Sequence, residues 1–256
     1  MIPVQNTVPI RFTPIVTWWL IGINCAVFFV QISLGPGELE RFIYSFALIP
    51  ARDIAPTPGL DAALSQFLPF LSNTFLHAGW LHLILNMWTL WLFGPTVEDR
   101  LGRGRFLLFY LASGVLASLA HAVFNPNSTI PALGASGAIS GVLGCYVGMF
   151  PFARLVVLVP ILFFPFFFDM PAVIFAGLWF FIQLLQGTVD LFLPALSGGV
   201  AWWAHIGGFV AGLVLGPLLH QPSRTYRPYE ADEGVFGFAA AGDRRNARRR
   251  KDTAWH

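Results

Sequence analysis

The chain has 256 residues, of which 56% are hydrophobic and 11% charged, with a formal net charge of +2 and a mean hydropathy of +0.66. A soluble domain is about 45–50% apolar and about 25% charged, so these values exclude a soluble enzyme on a tether and point to one polytopic membrane domain. The two cysteines, Cys25 and Cys145, both lie in apolar runs and read as small core hydrophobes rather than a disulfide or a metal pair.

A membrane span needs about 20 mostly apolar residues. Six segments qualify: 14–34, 75–93, 105–124, 136–150, 171–188 and 200–219. The first lacks a small-x-small cleavage site close behind it, so it reads as a retained span rather than a signal peptide. The loop 35–74 is long and rather apolar ("FIYSFALIP", "LSQFLPFL") and is expected to lie on the outer membrane surface as short interfacial helices. The second span carries "HLILN", with His82 and Asn86; the fourth opens on "GASG", with Ser136; the sixth carries "AHIGG", with His205. Between the fourth and fifth lies "RLVVLVPILFFPFFFD", 154–169, which contains Pro160 and Pro165. Two prolines break a helix and the run is short, so it is left out of the span count and expected to be interfacial or re-entrant. From about Gln221 the chain turns polar and loses periodicity. Residues 221–256 read as a disordered cytoplasmic tail whose basic run "RRNARRRK" acts as a positive-inside anchor, leaving 1–220 as the membrane domain.

Six spans put both termini on one side, and positive charge selects that side. Arg11, Arg100, Arg103, Arg105, Arg154 and the basic residues of the tail fall together, with only Arg41 and Arg52 opposite. The termini are therefore expected in the cytoplasm.

Polar residues inside spans are costly and are functional candidates by default. At a rise of 1.5 Å per residue, His82 lies about 10 Å and His205 about 8 Å below the outer edges of their runs. The fourth span is about 21 Å long against a hydrocarbon core of about 30 Å, which puts Ser136 about 9 Å below the outer edge. Three spans thus bring a polar residue to one level. Chain entering Ser136 must descend without helical hydrogen bonds, which is tolerated only where it is buried in protein or lines a watery cavity. A serine hydroxyl needs a base to become a nucleophile, and His205 is the candidate. His82 and Asn86, four residues apart, share a helix face and can donate hydrogen bonds to a developing oxyanion, joined by the Ser136 backbone N–H. No carboxylate lies at this depth, so the arrangement is a Ser–His dyad rather than a triad.

Plainer readings stand beside this one. Gly134, Gly137, Gly141, Gly144 and Gly148, and Gly208, Gly212 and Gly216, follow small-xxx-small spacing and serve close helix packing whatever the function. Ser140 reads as bonded to its own helix, His121 and His220 as structural histidines, and His77 as a residue of the outer interface. Taken on residues alone, Ser136, His82, Asn86 and His205 form either a catalytic site or a polar packing network. The sequence contains no H-E-x-x-H pattern that would mark a zinc protease.

Three motifs in order then carry a resemblance. "FLHAGWLHLILNMWTLWLFGPTVEDRLGRGRFLLFYL", "GASGAISGVLG" and "AHIGGFVAG" resemble the second-to-third-span region, the G-x-S-G nucleophile motif and the histidine-bearing last span of the rhomboid intramembrane serine proteases, over about residues 75–220. The resemblance implies an all-α, six-transmembrane-helix bundle that acts as a serine endopeptidase. It implies Ser136 as nucleophile, His205 as general base and acid, and His82 with Asn86 as oxyanion donors. It further implies single-pass transmembrane proteins as substrates, cut near their outer ends at locally unwound, small-residue sequence. Membrane lipid is the other partner, with no nucleic acid and no cofactor or metal, and the setting is a bacterial inner membrane. Two departures are visible. Ser140 stands where some members carry a tyrosine that stacks on the histidine, which leaves the support of His205 open. A Trp-Arg pair found in the first loop of some members is absent.

Overall fold

A computed structural model describes residues 1–55, 60–161, 164–192 and 200–221. In chain order it runs β1 (Ile2–Asn6), α1 (Ile15–Ser33), α2 (Pro36–Phe46), α3 (Pro50–Asp53), α4 (Leu60–Ser72), a 3-10 turn (Asn73–Phe75), α5 (Trp80–Leu101), α6 (Arg103–Phe124), α7 (Ser136–Met149), β2 (Arg154–Ile161), β3 (Phe164–Pro171), α8 (Ala172–Phe192) and α9 (Trp202–Leu219). α1, α6, α8 and α9 are each long and apolar enough to cross a membrane. α7 is apolar but has only 14 residues, and α5, with 22, ends in a charged turn. The protein is a helical polytopic membrane fold. Large apolar side chains such as Trp19, Leu81, Val123 and Leu218 point outward, as they can where lipid rather than water surrounds the bundle. The long loop after α1 contains the short helices α2, α3 and α4. The tail at 221–256 lies outside the described residues, Gln221 excepted.

Packing is tightest between α7 and α9. A methyl group placed on Gly208 would overlap the carbonyl oxygen of Gly137, and one on Gly212 that of Gly141. Two backbones can approach this closely only where neither carries a side chain. α6 closes the third side, with Ala117 against Gly137 and Ser113 against Gly141. α5 and α6 meet at Gly102, whose φ of 79° is a left-handed conformation that glycine adopts without steric cost.

The charged end of α5 is buried. Glu98, Asp99 and Arg100 are each 3% exposed or less. Glu98 accepts hydrogen bonds from the backbone N–H of Val16 at 3.0 Å and of Thr17 at 2.8 Å, and from the Thr17 hydroxyl at 2.8 Å. It thereby caps the free N–H groups that open α1. Asp99 accepts from the N–H groups of Arg11 and Phe12, and the Arg100 guanidinium lies 5.0 Å above the Phe150 ring. Replacing Glu98 with alanine orphans buried donors at a cost of about 1–3 kcal/mol. Glu98→Ala is expected to lower the melting temperature in detergent, with Glu98→Gln intermediate because it keeps one acceptor. An unchanged melting temperature for Glu98→Ala would show that water replaces the carboxylate.

One element departs from an all-helical plan. The run 154–169 is the hairpin β2–β3, and β1 adds to it in the order β1-β2-β3. Ile2 pairs with Leu158 and Asn6 with Leu155, while Pro160 faces Pro165 near the hairpin's end. The prolines that forbid a helix are tolerated at strand ends, and the valine-rich stretch favours extended chain. Leu155 and Val157 are buried against the bundle, whereas Phe166, Phe167 and Phe168 are exposed. β1 lies along α5, where the Trp88 indole donates to the carbonyl of Pro3 and the Asn6 amide to that of Leu92.

Candidate active site

Ser136 is the first residue of α7, so its backbone N–H is one of the donors a helix start leaves free. The chain leading to it is non-helical and tied into protein. Leu48 and Ala132 exchange backbone hydrogen bonds, Ala51 donates to Ser128, and Gly134 donates to Asn73. The Asn73 side chain bonds Ser118 of α6 at 2.9 Å. These partners satisfy the non-helical backbone that precedes Ser136.

The α7–α9 seam carries His205, in the first turn of α9, against Ser136. His205 Nε2 lies 2.8 Å from Ser136 Oγ. On the other side of the ring, His205 Nδ1 lies 2.7 Å from Oε1 of Gln183 in α8. An amide oxygen only accepts, so Nδ1 carries the proton and Nε2 presents its lone pair to the serine hydroxyl. The indoles of Trp179 and Trp202 flank the imidazole, with ring centres 6.1 and 6.2 Å away.

α5 supplies the facing wall. Gly134 has φ of 132°, and a Cβ there would stand 2.7 Å from His82 Cε1 and 2.8 Å from Nε2. The glycine therefore both adopts a conformation closed to other residues and lets the His82 ring reach the loop before Ser136. The Ala78 N–H points at His82 Nδ1 at 3.4 Å, which leaves the proton on Nε2, the atom nearer Gly134. Asn86 is buried, and its Nδ2 has no hydrogen-bond partner among the described residues. An unsatisfied buried donor is expensive unless a ligand or transition state uses it. Ser136, His205, His82 and Asn86 all line one cavity of about 610 Å³, whose walls also include Trp179 and Pro3.

Of the candidates named from sequence, the structure thus brings Ser136 and His205 into hydrogen-bond contact and sets His82 and Asn86 on the same cavity. Ser140 also lines the cavity, but its hydroxyl is engaged, donating to the carbonyl of Ser136 at 2.6 Å. His121 is held by Asn125. His77 is buried rather than facing an interface, with its backbone exchanging hydrogen bonds with the Gln31 amide and its ring against that of His82. Two partners escape sequence reasoning, Gln183 and Asn73. Gln183 is uncharged and surrounded by the apolar "LWFFIQLLQG", so its only signal is that it is polar inside a span.

The sequence profile of the Rhomboid domain matches residues 64–222, more than half of the chain, and takes in every residue of this cavity wall that carries a candidate role. The chain belongs to the rhomboid family. Its relatives include bacterial, mitochondrial and plant rhomboids. YdcA of Bacillus subtilis is 34% identical over 117 residues, covering 43% of this chain and 58% of that protein. The mitochondrial Rhomboid protein 1 of Saccharomyces cerevisiae is 29% identical over 206 residues, 77% of this chain and 51% of the yeast protein. The rhomboid protease GluP of Bacillus subtilis is 46% identical over 82 residues, 32% of this chain and 16% of GluP. The matched region thus spans about three fifths at most of these rhomboids' lengths.

Proposed function

We propose that this rhomboid is an intramembrane serine endopeptidase that cleaves single-pass transmembrane proteins near the outer end of the spanning helix. The reading rests above all on the 2.8 Å contact between Ser136 Oγ and His205 Nε2. As Oγ attacks the scissile carbonyl carbon, its proton passes to Nε2 and the C=O electron pair moves onto oxygen. His82 Nε2–H, Asn86 Nδ2–H and the Ser136 N–H are the donors that stabilise that oxyanion. Collapse expels the amine, which takes the proton from Nε2. Water, activated by the same nitrogen, then hydrolyses the acyl-serine. The Arg distribution supports an outward-facing site with cytoplasmic termini. The purified protein in proteoliposomes is expected to cleave a single-pass test substrate, and Ser136→Ala is expected not to. Wild-type protein that binds the substrate without cutting it would replace the protease reading with that of a non-catalytic helix-binding protein.

The oxyanion role separates catalysis from packing. Losing one such donor costs about 10²–10³ in rate in a soluble serine protease. Asn86→Ala is expected to lower turnover per folded molecule by about 10–100-fold, less than that range because two other donors share the charge. KM and melting temperature should change little. A fall in melting temperature with unchanged turnover per folded molecule would make Asn86 a packing residue.

A further inference from the structure

We infer that Gln183 is the positioning residue of the dyad: it holds the His205 imidazole in the Nδ1–H tautomer and ring orientation that aim the Nε2 lone pair at Ser136. The inference rests on reading Ser136 and His205 as nucleophile and base. Gln183 is 5% exposed, and its Oε1 is 2.7 Å from His205 Nδ1. Histidine alone has no preference strong enough to fix one tautomer; the hydrogen bond made by the second nitrogen sets it. The place where a tyrosine would stack in some rhomboids is filled by Ser140, whose hydroxyl is engaged with the Ser136 carbonyl, so orientation comes from α8 instead.

The whole face of α8 serves this contact. Ala176, Trp179, Gln183 and Gly187 recur at helical spacing and therefore share one side. Ala176 is fully buried. Trp179 flanks the His205 ring. A Cβ on Gly187 would touch Trp202, Trp203 and Ile206 of α9. α8 and α9 thus meet on both sides of Gln183, which fixes the distance at which its amide reaches the ring.

A neutral amide also suits this setting better than the carboxylate of a soluble triad. A carboxylate buried beside a neutral imidazole would be an uncompensated charge in a low-dielectric site for the whole resting state. An amide oxygen offers the same acceptor without that cost.

The test compares wild type, Gln183→Leu and Gln183→Glu in proteoliposomes, with Ser136→Ala as the inactive reference. Leucine keeps approximate volume and removes the acceptor, whereas glutamate keeps an acceptor at the same reach. A positioned general base supplies about 10²–10⁴ in rate. Gln183→Leu is expected to lower kcat about 10-fold or more while KM and melting temperature stay near wild type, and Gln183→Glu is expected to recover part of the lost kcat at a lower melting temperature, because its acceptor brings a buried charge. In protein with isotope-labelled imidazole nitrogens, magnetic resonance should find the His205 proton on Nδ1 in the wild type and shared between both nitrogens in Gln183→Leu. Wild-type kcat in Gln183→Leu, a loss that only follows the amount of folded protein, or an unchanged tautomer would overturn the inference. Absence of cleavage by the wild type would overturn the protease reading instead, and the tautomer measurement would still decide the role of Gln183.

Discussion

Ser136→Ala and His205→Ala are each expected to abolish cleavage, by about 10⁴-fold or more, and the double variant is expected to be no slower than either single one. The non-additivity follows from the geometry. Once Oγ is gone, His205 Nε2 has no proton to take; once the imidazole is gone, the hydroxyl that lay 2.8 Å away keeps its proton and does not attack. Ser140→Ala is expected to retain substantial activity, because its hydroxyl donates to a backbone carbonyl of its own helix and such a bond contributes about 0.5–1.5 kcal/mol. A fluorophosphonate probe should label the wild type and Ser140→Ala but not Ser136→Ala. Labelling that persists in Ser136→Ala and vanishes in Ser140→Ala would transfer the nucleophile to the other serine.

Gly212→Ala is expected to be among the most destabilising single-methyl changes in the molecule, despite alanine's better helix propensity. The added Cβ collides with the carbonyl oxygen of Gly141. A side chain in the way can rotate aside, but helix backbone cannot, so α7 and α9 must separate. Overpacking a close-packed core costs about 1–3 kcal/mol, and a clash with backbone belongs at the upper end. The same separation draws His205 away from Ser136, because Gly208 and Gly212 lie on the face of α9 that presents His205 to α7. Melting temperature and probe labelling of Ser136 should therefore fall together. Gly22→Ala is the control. A Cβ there meets nothing within 4 Å, so the variant is expected to be neutral or slightly stabilising. Equal melting temperatures for Gly212→Ala and wild type would mean that the seam is looser than the structure has it.

Much of this molecule is legible in its sequence because lipid imposes few and strict requirements. Every spanning segment must satisfy its own backbone hydrogen bonds, so long apolar runs become helices, and a polar side chain within one stands out. That logic singles out His82, Asn86, Ser136 and His205 before any coordinates, and the short fourth run already requires non-helical, protein-buried chain ahead of Ser136. Its fulfilment by Leu48, Ala51 and Asn73 is tertiary, since those partners lie about 60 to 85 residues away in sequence. The β-sheet is illegible for a related reason. β1 pairs with a strand some 150 residues distant, and a hairpin apolar on both faces shows no alternation to mark its strands. Composition, the span pattern and three ordered motifs determined a helical membrane protein of the rhomboid family and named the polar residues inside it. Only the tertiary structure decided that glycine contacts between α7 and α9 set Ser136 against His205, and that Gln183 stands behind the imidazole. A hydrogen bond of 2.7 Å between α8 and α9 depends on the distance between two helix axes, which close packing fixes and no single residue's identity encodes.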